Sequence, residues 1–377
     1  MAPSSSATQQ VLLSPAELSY LHSSLSLTPP IRPDGRTATQ FRPLIAETDI
    51  LPGTNGSARI CFADGTEAVV GVKAEVQKSH PSYAPGTEID IEAGNDDDEE
   101  GNGQEDGEGK KGRNEWVEIS VEIPGMRDDD SMPVFLGALL SEALLADGGF
   151  TGRLWINRRF HWKLYIDILL LSQPLSYPLP LLSLTTHLAL LSTRLPKLKS
   201  ELDEDPMFDD DWDASVFLYP RTEQTLDAVR PPVTLLVMTV KDNIIFDPSK
   251  EELAVAEVSL AVSVAERTSA SGDMDVDTEG GRVRDLRLLA VRTIDPPSRL
   301  THPGVPNTLN TATGGGTVGT TEMAVSQRET MDHEEGVWQP PRGGAKRKLI
   351  AEMIRKVLER GGVAEEVLDG LDAVELG

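Results

Sequence analysis

The chain has 377 residues, 39% of them hydrophobic, a single cysteine and a net charge of −26. That length suits one large domain or two small ones, and the modest apolar fraction leaves part of the chain outside any packed core. One cysteine, Cys61, excludes an internal disulfide and fits a reducing compartment, cytosol or nucleus. The acidity is concentrated: residues 88–108 carry 11 Asp/Glu, 201–213 carry 8 and 273–279 carry 4, with no Lys or Arg in any of them. These runs hold 23 of the 61 acidic residues, and without them the net charge is −3. The acidic balance therefore belongs to solvated loops and excludes no RNA partner.

Residues 1–13 are expected to be a flexible terminus, and Met1 to Gln10 lack the basic and apolar regions of a secretory signal. A short helix is predicted over 14–28, because Ser14 suits the cap, Pro15 the first turn and Glu17 a capping box. Strands follow at 40–48, 57–63 and 67–76, the last two joined by the hairpin signal Ala63-Asp64-Gly65-Thr66. Cys61 lies in one of these apolar runs and is expected in the core rather than as a nucleophile. Residues 86–114 form a Gly/Asp/Glu insertion with no apolar period, expected to be disordered. Trp116 to Ile123 alternates as a strand, and Ser131-Met132-Pro133 opens a helix that runs to about Ala146, closed by Gly148-Gly149.

A strand at 154–157 leads to the most apolar strand, His161–Leu171, and then to a helix from Pro180 to Arg194. Pro174, Pro178, Pro180 and His187 interrupt the leucines of 164–192, so a buried strand and helix fit better than a membrane span. An acidic linker at 200–213 precedes strands near 215–219, 233–240, 243–247, 253–265 and 284–294, with a Gly/Asp loop at 268–282. Residues 296–342 read as a linker. A C-terminal helix occupies 343–377, its stripe of Leu349, Ile350, Met353, Ile354, Val357 and Leu358 marking a docked amphipathic face. The order of elements predicts an α/β (α+β) protein, a two-layer sheet-and-helix fold in two subdomains, 14–200 and 201–295.

Three motifs stand in a fixed order: Arg32-Pro33-Asp34-Gly35-Arg36, then Gly56-Ser57-Ala58, then Gly71-Val72-Lys73-Ala74-Glu75. Together they resemble the start of an RNase PH domain, the fold of phosphate-dependent 3′→5′ exoribonucleases and of the exosome ring. The resemblance spans roughly residues 15–295. Catalytic ring members usually carry a G-P-R-E-like third motif, and Gly71–Glu75 is similar to the non-catalytic branch. His161–Leu171 and Phe246–Leu253 lean toward one subunit type of that branch.

Phosphorolysis needs phosphate held by an Arg and by backbone N–H groups, and a carboxylate or metal for the leaving oxygen. The resemblance implies that active relatives place a D-G-G-T-R-like turn after the strand matching 161–171. Here that segment is Leu171-Ser172-Gln173-Pro174-Leu175-Ser176-Tyr177-Pro178, with no Gly and no Arg. An E-E-D-S-x-A-D-V-D-like strand becomes Glu251 to Ser259, its three Asp positions now Leu253, Glu257 and Ser259. No catalytic residue is expected, and Glu257 is expected to be an ordinary strand residue. The helix 133–147 has no Lys or Arg with which to complete a neighbour's site.

No metal or cofactor is expected, because the six His show no H-x-x-x-H spacing and Asp209–Asp213 lacks the alternation of a cation loop. The cluster Ala345-Lys346-Arg347-Lys348 reads as a polar helix face. The best RNA contacts are Arg32, Arg36, Arg59 and Lys73, each as a phosphate-neutralising charge, with salt bridges to Asp34, Glu47 or Glu75 as the competing role. The resemblance implies an inert subunit of a hetero-oligomeric exosome ring that threads single-stranded RNA. Its partners would be RNase PH-like ring subunits and cap subunits, its place nucleus, nucleolus and cytoplasm, with no membrane role. The competing readings are an active phosphate-dependent exoribonuclease and a free-standing RNA-binding protein.

Overall fold

Ser14 and Glu17 close a reciprocal capping box, the Glu17 carboxylate accepting from the Ser14 amide at 2.7 Å. It starts helix α1 (Pro15–Leu25), which buries Leu18, Leu21 and Leu25. The computed structural model describes residues 13–79, 112–146, 148–172, 174–200, 204–220, 230–266, 284–296, 298, 338–341 and 344–376. The expected flexible terminus 1–12, most of the 86–114 insertion, the 268–282 loop and most of the 296–342 linker lie outside the described residues.

The first sheet contains β1 (Leu44–Thr48), β2 (Gly56–Phe62), β3 (Glu67–Lys78), β4 (Val117–Glu122) and β5 (Phe160–Leu170), in the order β1-β2-β3-β5-β4. All neighbours are antiparallel except β4 and β5. A parallel pair requires a crossover, supplied by α2 (Ser131–Leu145) and the one-turn α3 (Gly149–Gly152). Alternation sets the faces: Ala68, Val70 and Val72 of β3 are buried while Lys73 and Glu75 are exposed. Cys61 lies between buried Ile60 and Phe62 and is half-buried, so it sits on the outer face and not in the core.

Helix α4 (Leu179–Ser192) has all 14 residues buried, and it touches β2 and β3 of the first sheet and β8 (Val233–Val240) of the second. A helix apolar all round needs such a two-sided site. Its few polar groups are satisfied locally: Thr185 and Thr186 donate to the carbonyls of Leu181 and Leu182, each at 2.7 Å. Ser183 accepts from the Thr234 amide at 2.7 Å, tying the helix to β8. A two-stranded ribbon of β6 (Arg194–Leu195) and β7 (Val216–Phe217) follows.

The second sheet is antiparallel, in the order β11-β10-β8-β9, from β8 (Val233–Val240), β9 (Asn243–Phe246), β10 (Val258–Glu266) and β11 (Leu286–Ile294). Between β9 and β10 a second capping box, Ser249 with Glu252, makes the one-turn α5 (Lys250–Leu253). The strand expected from 253 therefore begins at 258. The strand expected at 154–157 is a single bridge, Trp155 to His161. The C-terminus forms two helices, α6 (Arg347–Val357) and α7 (Val363–Asp372), because Gly361 at φ +63° breaks the run. The acidic linker is also not free: Leu198 bridges Phe208, whose ring lies 5.0 Å from that of Trp162.

Candidate functional site

The opening basic turn folds inward. Gly35, at φ +76°, lets its amide reach the Arg32 carbonyl at 3.1 Å, and Asp34 accepts from the Arg36 amide at 3.0 Å. Arg32 Nε and Nη2 then make a bidentate pair with Glu252 at 2.7 and 2.8 Å. Its remaining N–H groups donate to the carbonyls of Thr37, Phe246 and Asp247 at 3.1, 3.1 and 3.0 Å. Arg36 donates to Asp34, to Asp247 Oδ2 at 2.9 Å and to the Asp247 carbonyl at 3.1 Å. Arg42 grips the same carboxylate from Nε and Nη2 at 2.9 and 2.6 Å and also donates to Asp64 and Ser176.

The side chains of Arg32, Asp247 and Glu252 are fully buried and those of Arg36 and Arg42 nearly so. Burial opposes the charge on Arg42, but hydrogen bonds and attraction from Asp247 and Asp64 more than offset it, so its pKa lies above the usual arginine value. The backbone agrees, since the Phe246 amide donates to the Ala38 carbonyl at 2.8 Å. These contacts join the segment ahead of the first sheet to the turn after β9. Arg32 and Arg36, expected as RNA contacts, are instead buried structural cations, and a guanidinium with its donors filled has no face for a phosphate. Sequence reading missed Arg42, Asp247, Glu252 and Ser176 as one network.

The other two motifs are also packing devices. A Cβ on Gly56 would stand 2.5 Å from Thr193 Cα, so only glycine allows β2 to meet the end of α4. Ser57 donates its amide to the Ser192 hydroxyl at 3.1 Å, and Ala58 is fully buried. Arg59 and Lys73 sit on the outer face of the first sheet, their side chains 40% and 61% exposed. Arg59 pairs with Glu67 and, at 3.2 Å, with Glu47, while Lys73 lies 3.8 Å from Glu75.

The positions matched to a phosphorolytic site are elsewhere engaged. Ser176 accepts from Arg42 at 2.6 Å. The first turn of α4, where an anion would meet free N–H groups, is built of buried Leu179, Pro180 and Leu181, and Pro180 has no N–H. Leu253 is buried, and Ser259 donates to the Ile294 carbonyl at 2.7 Å. Glu257 is not an ordinary strand residue. It precedes β10, accepts from the Lys241 amide at 3.1 Å and lies 3.9 Å from His22. His22 and then that amide hold its carboxyl below the usual glutamate value. Among the described residues no group of three or more His, Cys, Asp or Glu could hold a metal ion.

No protein-family model matches the sequence. Its relatives include exosome complex component RRP42 of Saccharomyces cerevisiae, 34% identical over 257 residues that span 67% of this chain and 81% of that protein. Exosome complex component rrp42 of Schizosaccharomyces pombe is 34% identical over 295 residues, 74% of this chain and 87% of that protein. Among solved structures, an Archaeoglobus fulgidus exosome with RNA bound to the active site aligns at a TM-score of 0.47 and 18% identity, covering 83% of this chain and 92% of that chain. An archaeal exosome core aligns at 0.45 and 17% identity, covering 83% and 90%.

Proposed function

This chain belongs to the family of exosome complex component RRP42, and on that premise we propose that it is a non-catalytic structural subunit of an exosome core ring. Its partners are then RNase PH-like ring subunits and cap subunits, and its work is to position single-stranded RNA for 3′→5′ processing and decay, ribosomal RNA 3′ ends and messenger RNA included. A complex of that kind acts in nucleus, nucleolus and cytoplasm.

The observation that supports the inert reading is the turn before α4, where Ser176 accepts from Arg42 and the helix starts with buried Leu179, Pro180 and Leu181. Glu257 adds support: a general acid needs a pKa raised toward neutrality, whereas its neighbours lower it. Of the four basic candidates only Arg59 and Lys73 present exposed charge, so the proposed RNA contacts narrow to these two, acting on phosphates and not on bases. The test is release of nucleoside diphosphates from a 3′-labelled RNA with inorganic phosphate. The purified chain is expected to release none, and phosphate-dependent product abolished by Glu257→Gln would establish the enzyme instead. Native mass measurement of the tagged chain is expected to find it only in assemblies of several different subunits.

A further inference from the structure

The amphipathic stripe of α6 is spent on the core. Met353 and Val357 are fully buried, and Leu349, Ile350 and Leu358 pack beside them. Ahead of the helix, Trp338 is buried and its amide donates to the Ser19 hydroxyl of α1 at 2.9 Å. The helix is thus seated, and its other face is held outward. At 3.6 residues per turn, Lys348 and Arg355 fall on one line, on the side away from Met353 and Val357 and about 10 Å apart along the axis.

That face is basic. Residues 346–360 carry six Lys/Arg and two Glu, in a chain whose net charge is −26. Lys346, Arg347, Lys348, Arg355 and Arg360 are exposed. Each glutamate is matched by one lysine, Glu352 by Lys348 at 3.8 Å and Glu359 by Lys356. Lys346, Arg347, Arg355 and Arg360 have no ion pair among the described residues. Three of the cations, Lys346, Arg347 and Lys348, crowd the start of the helix, where the macrodipole is already positive and no acidic residue stands in the first turn. They also repel one another. Folding alone disfavours this arrangement, and a bound polyanion reverses both costs.

We infer that the outer face of α6 is a further contact for single-stranded RNA, its cations neutralising successive phosphates. The inference rests on the RNA role proposed above and adds to it a surface far in sequence from Arg59 and Lys73. Cations fixed on a docked helix suit a phosphate backbone, because they need no base identity and each guanidinium forks onto two phosphate oxygens. With its apolar stripe turned inward, α6 offers charge and not apolar area, which favours a polyanion over a lipid surface or an apolar protein groove.

Binding of a labelled oligouridylate to the full chain and to its assembled complex, followed against salt concentration, tests this. Each phosphate contact on a single strand contributes about 0.7 to the slope of log affinity against log salt. The combined Lys346→Ala, Arg347→Ala and Lys348→Ala variant is expected to lower that slope by about 2. It is expected to melt no lower than wild type, since cations leave a positive helix end. Arg355→Ala is expected to lower the slope by about 0.7. Arg127→Ala, which removes an exposed arginine paired with Asp129 at 3.1 Å, is expected to leave it unchanged. The inference is overturned if the triple variant keeps the wild-type slope, or if Arg127→Ala loses as much as Arg355→Ala. It is also overturned if a peptide of residues 88–108 binds while the oligouridylate does not. A wild-type complex that retains no RNA overturns the RNA role itself, whereas RNA retained with an unchanged slope in the triple variant overturns only this contact.

Discussion

Two basic regions of this molecule differ in how they are matched, the arginines of the opening motif and the outer face of the first sheet. In the Arg32, Arg36 and Arg42 cluster, Asp247 and Glu252 are fully buried counter-charges, and carbonyls take the remaining donors. On the outer face of the first sheet, Arg59 and Lys73 keep side chains 40% and 61% exposed, with Glu47, Glu67 and Glu75 as their counter-charges. A buried cation with all its donors matched is a joint, and an exposed cation keeps charge that a phosphate can reach. The difference separates the scaffold role of the opening motif from the proposed RNA contacts, although both regions are equally basic in sequence.

The comparison breaks most readily at Asp247. Asp247→Ala strands Arg36 and Arg42 in the interior, and urea denaturation is expected to show a loss of about 3–5 kcal/mol. A loss below about 1 kcal/mol would mean that the network does not join the two sheets. Asp247 also holds φ at +46°, so Asp247→Asn, which tolerates that region, separates the charge effect from the backbone effect.

The next effect is a pH dependence at α4, the buried helix between the sheets. His187 is fully buried; burial pushes its pKa down to about 4, with the nearby Asp372 opposing the shift. Above pH 6.5, its ordinary value, the side chain is neutral whether folded or not and adds no slope. As pH falls from 6.5 toward 4, the unfolded chain takes up a proton that the folded chain refuses, so stability falls. The loss approaches about 3 kcal/mol near pH 4, and His187→Leu is expected to remove that part of the acid slope. Equal slopes in the variant and the wild type would show that His187 is not held neutral.

Smaller effects sharpen the contrast. Gly56→Ala places a Cβ against the Thr193 backbone and is expected to cost about 1–3 kcal/mol by thermal unfolding. Arg59→Ala and Lys73→Ala, on the exposed sheet face, are expected to change stability by less than about 1 kcal/mol. Their expected effect is instead on RNA: the assembled complex should retain RNA less tightly and with a shallower salt dependence. Unchanged retention and salt slope would remove the RNA role of both residues.

Much of the fold was legible because its signals are local. The hairpin signal Ala63–Thr66 located β2 and β3, alternation located β4, an apolar run located β5, and Ser14 with Glu17 announced α1. The same capping signal at Ser249 and Glu252 was passed over, because the apolar run around it reads as strand, and α5 was missed. Gly361-Gly362 divides the C-terminal helix, yet an amphipathic stripe alone gives no place for the break. The joint was not legible, since Arg42 and Asp247 are 205 residues apart and nothing local pairs them. One hint was present: Asp247 and Glu252 are acidic residues flanking an apolar strand, where unpaired charge is costly.

Arginine footprinting of the native chain with a dicarbonyl reagent tests the structural role of the opening motif most directly. The buried joint predicts that Arg59 is modified while Arg32, Arg36 and Arg42 stay protected until the chain unfolds, with or without RNA. Modification of Arg32 and Arg36 at the rate of Arg59, or their protection only when RNA is added, would contradict it.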